Sequence, residues 1–318
     1  MGKRTSEAYK TTIGGQALIE GIMMRGVGLA SMACRLPDGS IDVETWPIRG
    51  GKDAPWYRKV PFLRGIFNFA VSLTDGYRCI SKSAEKTAAP EEENENPSKF
   101  ELWLEKVFGD KLGTAVTIVG SVLGILLAVG LFVYLPALLV KLLDNLVALG
   151  NWRTLVEGIF KIVLFVTYIG LTGLMKDLRR MYEYHGAEHK TIACYEAGEE
   201  LTVDNVRKQT RFHPRCGTSF ILIVFVVSIL VLSVFQVSWD NVALRMLVKL
   251  ALLPLVVGIS YEIIRLAGRH DNIVTRIISA PGLCLQRLTT REPDDSEMEV
   301  GIAALKAVLP ANPGEDRW

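Results

Sequence analysis

Three of the four histidines in this chain lie between residues 185 and 213, among groups that could bind a cation. His185-Gly-Ala-Glu188-His189 is an H-x-x-E-H pattern. On a helix, residues four apart share a face, so both imidazoles can reach one metal ion. Glu188 lies beside them and could act on water as a general base. The same spacing defines the inverzincin metalloproteases, which use it in that way. Downstream, Arg211-Phe-His213-Pro-Arg-Cys216 adds an imidazole and a thiol, both good zinc ligands. The expected centre is therefore a divalent metal, zinc by its donors, held by His185, His189, His213 and Cys216, with Glu188 as the catalytic group. Four protein ligands would close the site as a structural zinc; two histidines and one partner would leave a position open for water. The plainer alternative is histidines that bond backbone carbonyls near a membrane surface and a cysteine that merely packs.

The elements that must position these groups are also readable. Residues 182–196 read as a helix that stops at Gly198, and Thr202 can cap a short second helix to about Gln209. If the chain reverses near Glu199 and Glu200, His213 and Cys216 return to the height of the H-x-x-E-H face.

A second cluster is Gly14-Gly-Gln16-Ala-Leu-Ile-Glu20-Gly-Ile-Met-Met-Arg25-Gly26. Its glycines suggest a tight backbone path, and its polar residues inside an apolar run suggest a buried polar contact. The reading is a structural turn with a Glu20–Arg25 ion pair, set against a substrate contact. Gly-Gly-Gln also occurs in peptide release factors, but a tripeptide carries no such function here.

The frame around these motifs is apolar. Of 318 residues, 49% are hydrophobic, and the mean hydropathy of +0.26 is high for a soluble chain. A net charge of +2 argues against a nucleic-acid surface. Five scattered cysteines without a C-x-x-C pair suggest reduced thiols. The polar first ten residues lack a secretory signal's apolar core. Crossings are expected at 113–140, 155–175, 219–237 and 247–264, the last with Pro254 inside it. Lys161 and Lys249 fall near span ends, where long stems can snorkel. Basic residues crowd 176–218 and the segment after 264 but are sparse in the short connectors, so by charge bias both termini and the 176–218 loop are cytoplasmic.

The rest of the chain divides accordingly. Residues 1–60 read as a strand-rich unit, with a hairpin around Pro37-Asp38-Gly39. Residues 61–80 read as an amphipathic helix lying in the membrane interface or packed on the spans, with a fifth crossing as the minority reading. Residues 81–99, with Pro90-Glu-Glu-Glu-Asn-Glu-Asn-Pro97, read as an acidic disordered linker. Within 265–318, Asp294 and Glu297 announce a helix whose apolar face is Met298, Ile302 and Leu305. The fold class is a mainly α, polytopic membrane protein with about four transmembrane helices and a small strand-containing N-terminal unit.

The strings GGQALIEGIMMRG, YHGAEHKT, RFHPRCGTSF and LTTREPDDSEMEV together resemble the YqhQ-like family of uncharacterised bacterial membrane proteins. The resemblance runs over nearly the whole chain outside the acidic linker. It implies a multi-pass protein of the bacterial cell membrane, and a family label of predicted metal-dependent enzyme that rests on the same histidines, glutamate and cysteine. Three functions stay open: a metal-dependent hydrolase at the cytoplasmic membrane face, acting on a lipid-linked or membrane-protein substrate; a non-catalytic scaffold stapled by a structural His/Cys metal site; and a transporter. Expected partners are the lipid bilayer and other membrane proteins.

Overall fold

The computed structural model describes residues 9–48, 55–88, 112–235, 242–270, 272–312 and 314–317. The chain divides into two compact units, Met1–Thr87 with Val166–Trp318, and Ala88–Phe165. Strands β1 (Gly14–Leu18), β2 (Gly21–Arg25), β3 (Leu29–Arg35) and β4 (Ile41–Pro47) form one antiparallel sheet in the order 1-2-3-4. Helices α1 (Leu63–Thr87), α2 (Leu112–Val129), α3 (Leu135–Leu146) and α4 (Arg153–Thr172) follow. Then come α5 (Lys176–Glu196), α6 (Val203–Lys208), α7 (Gly217–Phe235), α8 (Val242–Arg269), α9 (Ile273–Thr289) and α10 (Asp295–Val308). The chain is mainly helical with a small N-terminal sheet, as expected.

The glycine-rich cluster is the β1–β2 hairpin. Leu18 pairs with Gly21 across a two-residue turn, and Glu20 takes a φ of 49° there. The Gly-Ile-Met-Met run does not alternate in polarity because β2 is covered on both faces. Ile22, Met24 and Ala33 face the larger core with Tyr184 and Ile192 of α5 and Met298 and Leu305 of α10. Leu18, Met23, Met32 and Cys34 face the other way, onto Cys79 of α1. The second hairpin turns at Gly39, φ 85°, where Asp38 Oδ1 accepts from the Ser40 N–H.

Helix α10 begins with the expected capping box: the Glu297 N–H donates to Asp294 Oδ1 at 3.0 Å and the Asp294 N–H to Glu297 Oε2 at 2.9 Å. Met298, Ile302 and Leu305 are all buried. Helix α1 corrects the expected layout. It runs to Thr87, so 81–87 is helix and not linker, because Lys82 and Lys86, four apart on one face, pair with Glu44 and Asp42 of β4. The acidic run at 90–97 lies outside the described residues. Helix α1 also packs on α8, where a side chain on Gly65 would lie 2.6 Å from Tyr261 Cβ, and Arg64 pairs with Glu262.

Among the described residues four helical stretches are long and apolar enough to cross a membrane: Val119–Leu146, Gly150–Thr172, Gly217–Phe235 and Leu244–Arg269. They overlap the four expected crossings, with ends that differ by several residues. The first includes a π-helical turn, Gly130–Tyr134, shortly before Pro136, whose missing N–H leaves a carbonyl without its helical partner. In the second unit Asp144 pairs with Arg153 at 2.5 Å and accepts from the Leu149 N–H at 2.9 Å, tying the turn between α3 and α4.

Candidate metal centre

His185 and His189 project from one face of α5, one turn apart, with ring centroids 4.4 Å apart. The helix ends as expected: Gly198 takes a φ of 72°. Thr202 then caps α6 by accepting from the Asn205 N–H. The chain returns along 210–216 and delivers Cys216 immediately before α7. One ligand atom from each of His185, His189 and Cys216 can be chosen so that all lie within 4.8 Å of one another. His185 Nε2 is 3.2 Å from Cys216 Sγ.

Two backbone carbonyls set the tautomers. His185 Nδ1–H donates to the Thr289 carbonyl at 2.8 Å, a group left over at the C-terminus of α9. His189 Nδ1–H donates to the Arg211 carbonyl at 2.6 Å. Both histidines do bond backbone carbonyls, and that bonding leaves Nε2 as the nitrogen that can ligate a metal once it carries no proton. Tetrahedral zinc with two imidazoles and a thiolate needs donors roughly 3.3–3.6 Å apart. The 3.2 Å separation of His185 and Cys216 fits that spacing with little movement.

His213 lies outside this three-residue group. Its ring is 5.6 Å from that of His189, but its Nε2 accepts from Arg215 Nη2 at 3.1 Å and lies 3.8 Å from Glu196 Oε2. Arg215 also pairs with Glu196 and donates to the Thr11 carbonyl at 2.6 Å. The His213 backbone is held by Gln286, whose side chain is fully buried: the His213 N–H donates to Oε1 at 2.8 Å, and Nε2 donates to the His213 carbonyl at 2.6 Å.

The electrostatics follow from these contacts. Burial disfavours the His185 imidazolium, but the thiolate of Cys216 and Glu188 overcome it and raise the group to about 9. Burial would also raise Cys216; the two imidazoles instead hold it well below the usual thiol range. Glu188 is buried and is raised above the ordinary carboxyl range by desolvation, against the pull of His189 and His185. His213 is lowered, mainly by burial, and is neutral.

Two glycines permit the close packing. A Cβ on Gly15 would lie 2.9 Å from Glu188 Cγ and 2.8 Å from the Met23 carbonyl, so only glycine lets β1 lie against Glu188. A Cβ on Gly186 would lie 2.0 Å from the Arg291 carbonyl.

Glu20 and Arg25 do not pair. Glu20 binds Arg180, with Nη2 at 2.8 Å, and accepts from Tyr184 Oη at 3.1 Å. Arg25 binds Asp75 of α1 at 2.7 Å. Adjacent strand residues alternate faces and the turn carries Glu20 toward α5, which separates the two charges. A cavity of about 590 Å³ adjoins the centre; Gly15, Gln16, Arg25 and Cys216 line it, and Glu20 does not. Gln286, Glu196 and Thr289 were missed by the sequence reading. Nothing in their type or spacing marks them, since each acts through partners distant in sequence.

The chain matches the model of a family described as a protein of unknown function (DUF1385) over residues 60–311. It belongs to that family. It is also 35% identical over 297 residues to the "Uncharacterized protein YqhQ" of Bacillus subtilis (strain 168), which covers 93% of this chain and 92% of that protein. The resemblance carried by the four motifs is thus the family itself. No solved structure matches this chain.

Proposed function

We propose that this chain is a multi-pass protein of the bacterial cell membrane with both termini in the cytoplasm, and a metal-dependent hydrolase working at the cytoplasmic face. The observation that carries the reading is the three-donor group His185, His189 and Cys216, with His213 turned to Arg215 and a cavity of about 590 Å³ reaching Cys216. Three donors beside a cavity suit an open, catalytic site. Apolar exteriors on the span helices, such as Leu230, Val234 and Leu247, support the membrane setting.

A divalent ion bound there supplies Lewis acidity to a substrate carbonyl or phosphoryl oxygen. The Thr289 and Arg211 carbonyls fix the imidazole tautomers that hold it. Glu188, kept basic by its raised affinity for protons, takes a proton from attacking water at its carboxylate and returns it to the leaving group. The close packing of Gly15 on Glu188 Cγ holds that side chain against β1.

The test is the metal content of the full chain purified in mild detergent. Stoichiometric zinc in the parent, lost in His185→Ala and kept in Glu188→Gln, is expected; a metal-free parent refutes the reading. The deep burial of His189, 2% exposed, favours a second reading, a structural staple joining α5, 210–216 and α9. In that case chelation unfolds these segments, and Glu188→Gln changes nothing.

A further inference from the structure

The cavity beside Cys216 has two unlike walls. One is cationic and polar: Arg25 of β2, Arg58 of the 3-10 turn Trp56–Arg58 that precedes α1, and Asn68 of α1 line it. Arg58 Nε donates to Asn68 Oδ1 at 2.8 Å, and Asn68 Nδ2 donates to Tyr261 Oη at 2.9 Å, so the guanidinium is fixed in orientation. Arg25 and Arg58 are close enough to repel: burial and then Arg25 lower the proton affinity of Arg58. Four arginines line the cavity against one acidic residue, Glu315, although Arg25 and Arg215 also hold carboxylates.

The other wall is apolar. Phe69 of α1, Phe220 of α7 and Ile264 of α8 line it, with the first two rings 5.7 Å apart. Helices α7 and α8 contribute two of the four stretches long and apolar enough to cross a membrane. The cavity therefore lies where the start of α7 meets the end of α8. A fixed, planar guanidinium beside a second one suits phosphate, whose charged oxygens accept paired N–H bonds from the fork. An apolar wall running onto such helices suits an acyl chain.

We infer that this cavity binds a phosphate-bearing lipid, with its headgroup held by Arg58 and Arg25 and its chain along Phe69 and Phe220. The inference rests on the hydrolase reading only in naming that lipid as the substrate class; the binding itself needs no metal. The headgroup then stands beside Cys216, and hence beside the proposed metal.

The test uses the full chain in maltoside detergent, treated with chelator, and titrated with dihexanoyl phosphatidic acid, dihexanoyl phosphatidylcholine or inorganic phosphate. The phosphatidic acid is expected to bind at least about tenfold more tightly than either of the others. Arg58→Gln is expected to weaken it at least about tenfold, and Arg58→Lys less, since the charge remains. Ser72→Asp, a change at an exposed cavity position, adds a negative charge without disturbing the core and weakens binding likewise. Equal affinity for phosphatidylcholine, or unchanged binding in Arg58→Gln and Ser72→Asp, overturns the inference. Inorganic phosphate binding as tightly as the lipid overturns the lipid assignment in favour of a free phosphate. Because zinc is absent throughout, a failure here is separate from a failure of the hydrolase reading, which a metal-free parent would refute.

Discussion

Replacing Gln286 by leucine tests whether the return of the chain to the metal centre is built as described. The glutamine side chain is fully buried and makes reciprocal bonds to the His213 backbone, at 2.8 Å and 2.6 Å, and a longer one to Ser219 Oγ at 3.2 Å. Leucine has nearly the same volume, so cavity formation contributes little. What it removes is the partner of one buried N–H and one buried carbonyl, each costing about 1–3 kcal/mol when left unpaired. The sum is about 2–6 kcal/mol, which in a unit of this size lowers the thermal midpoint by roughly 4–24 °C. Residues 210–216 carry both the Arg211 carbonyl that orients His189 and Cys216 itself, so zinc affinity is expected to fall too. The assay is tryptophan-fluorescence melting in detergent, with and without zinc. A midpoint within about 2 °C of the parent, with unchanged metal content, would refute the argument that Gln286 clamps this segment.

Two further outcomes rest on other parts of the molecule. In chelator-treated protein at pH 7, Cys216 is expected to alkylate faster than Cys34 or Cys194, because imidazoles stabilise its thiolate whereas burial pushes Cys34 up to about 12 and Cys194 up to about 11. Added zinc should protect Cys216, and mass mapping that finds equal labelling with and without zinc counts against the site. Glu297 is raised by burial to about 7, since Arg180 is committed to Glu20 and reaches it only at 3.5 Å. The folded state holds this proton more tightly than the unfolded one, so stability is full below about pH 4.5 and declines as pH rises toward 7, by up to about 3 kcal/mol. Glu297→Gln keeps the capping acceptor and should flatten that slope in melts across pH; an unchanged slope would show that Glu297 is already ionised.

Much of this was legible because the signals are local. The H-x-x-E-H face, the Gly198 stop, the Thr202 cap and the Asp294–Glu297 box each depend on residues within a turn or two of one another. The four apolar stretches depend only on composition. The end of α1 was misread because Lys82 and Lys86 look like linker charges until β4 supplies their carboxylates. The Glu20–Arg25 pair was misassigned for a related reason: nearness in sequence says little about charges on opposite faces of a hairpin.

The residue types and spacing alone determined that two imidazoles, a carboxyl and a thiol stand near the ends of apolar helices, and which of them share a helix face. Only the tertiary structure decided which donors converge. It joined Cys216 to His185 and His189, and it turned His213 toward Arg215 and Glu196. Whether a side chain becomes a ligand depends on where distant partners fix its backbone and its other ring nitrogen, and those partners, Gln286, Thr289 and Arg211, lie 22 to 104 residues away.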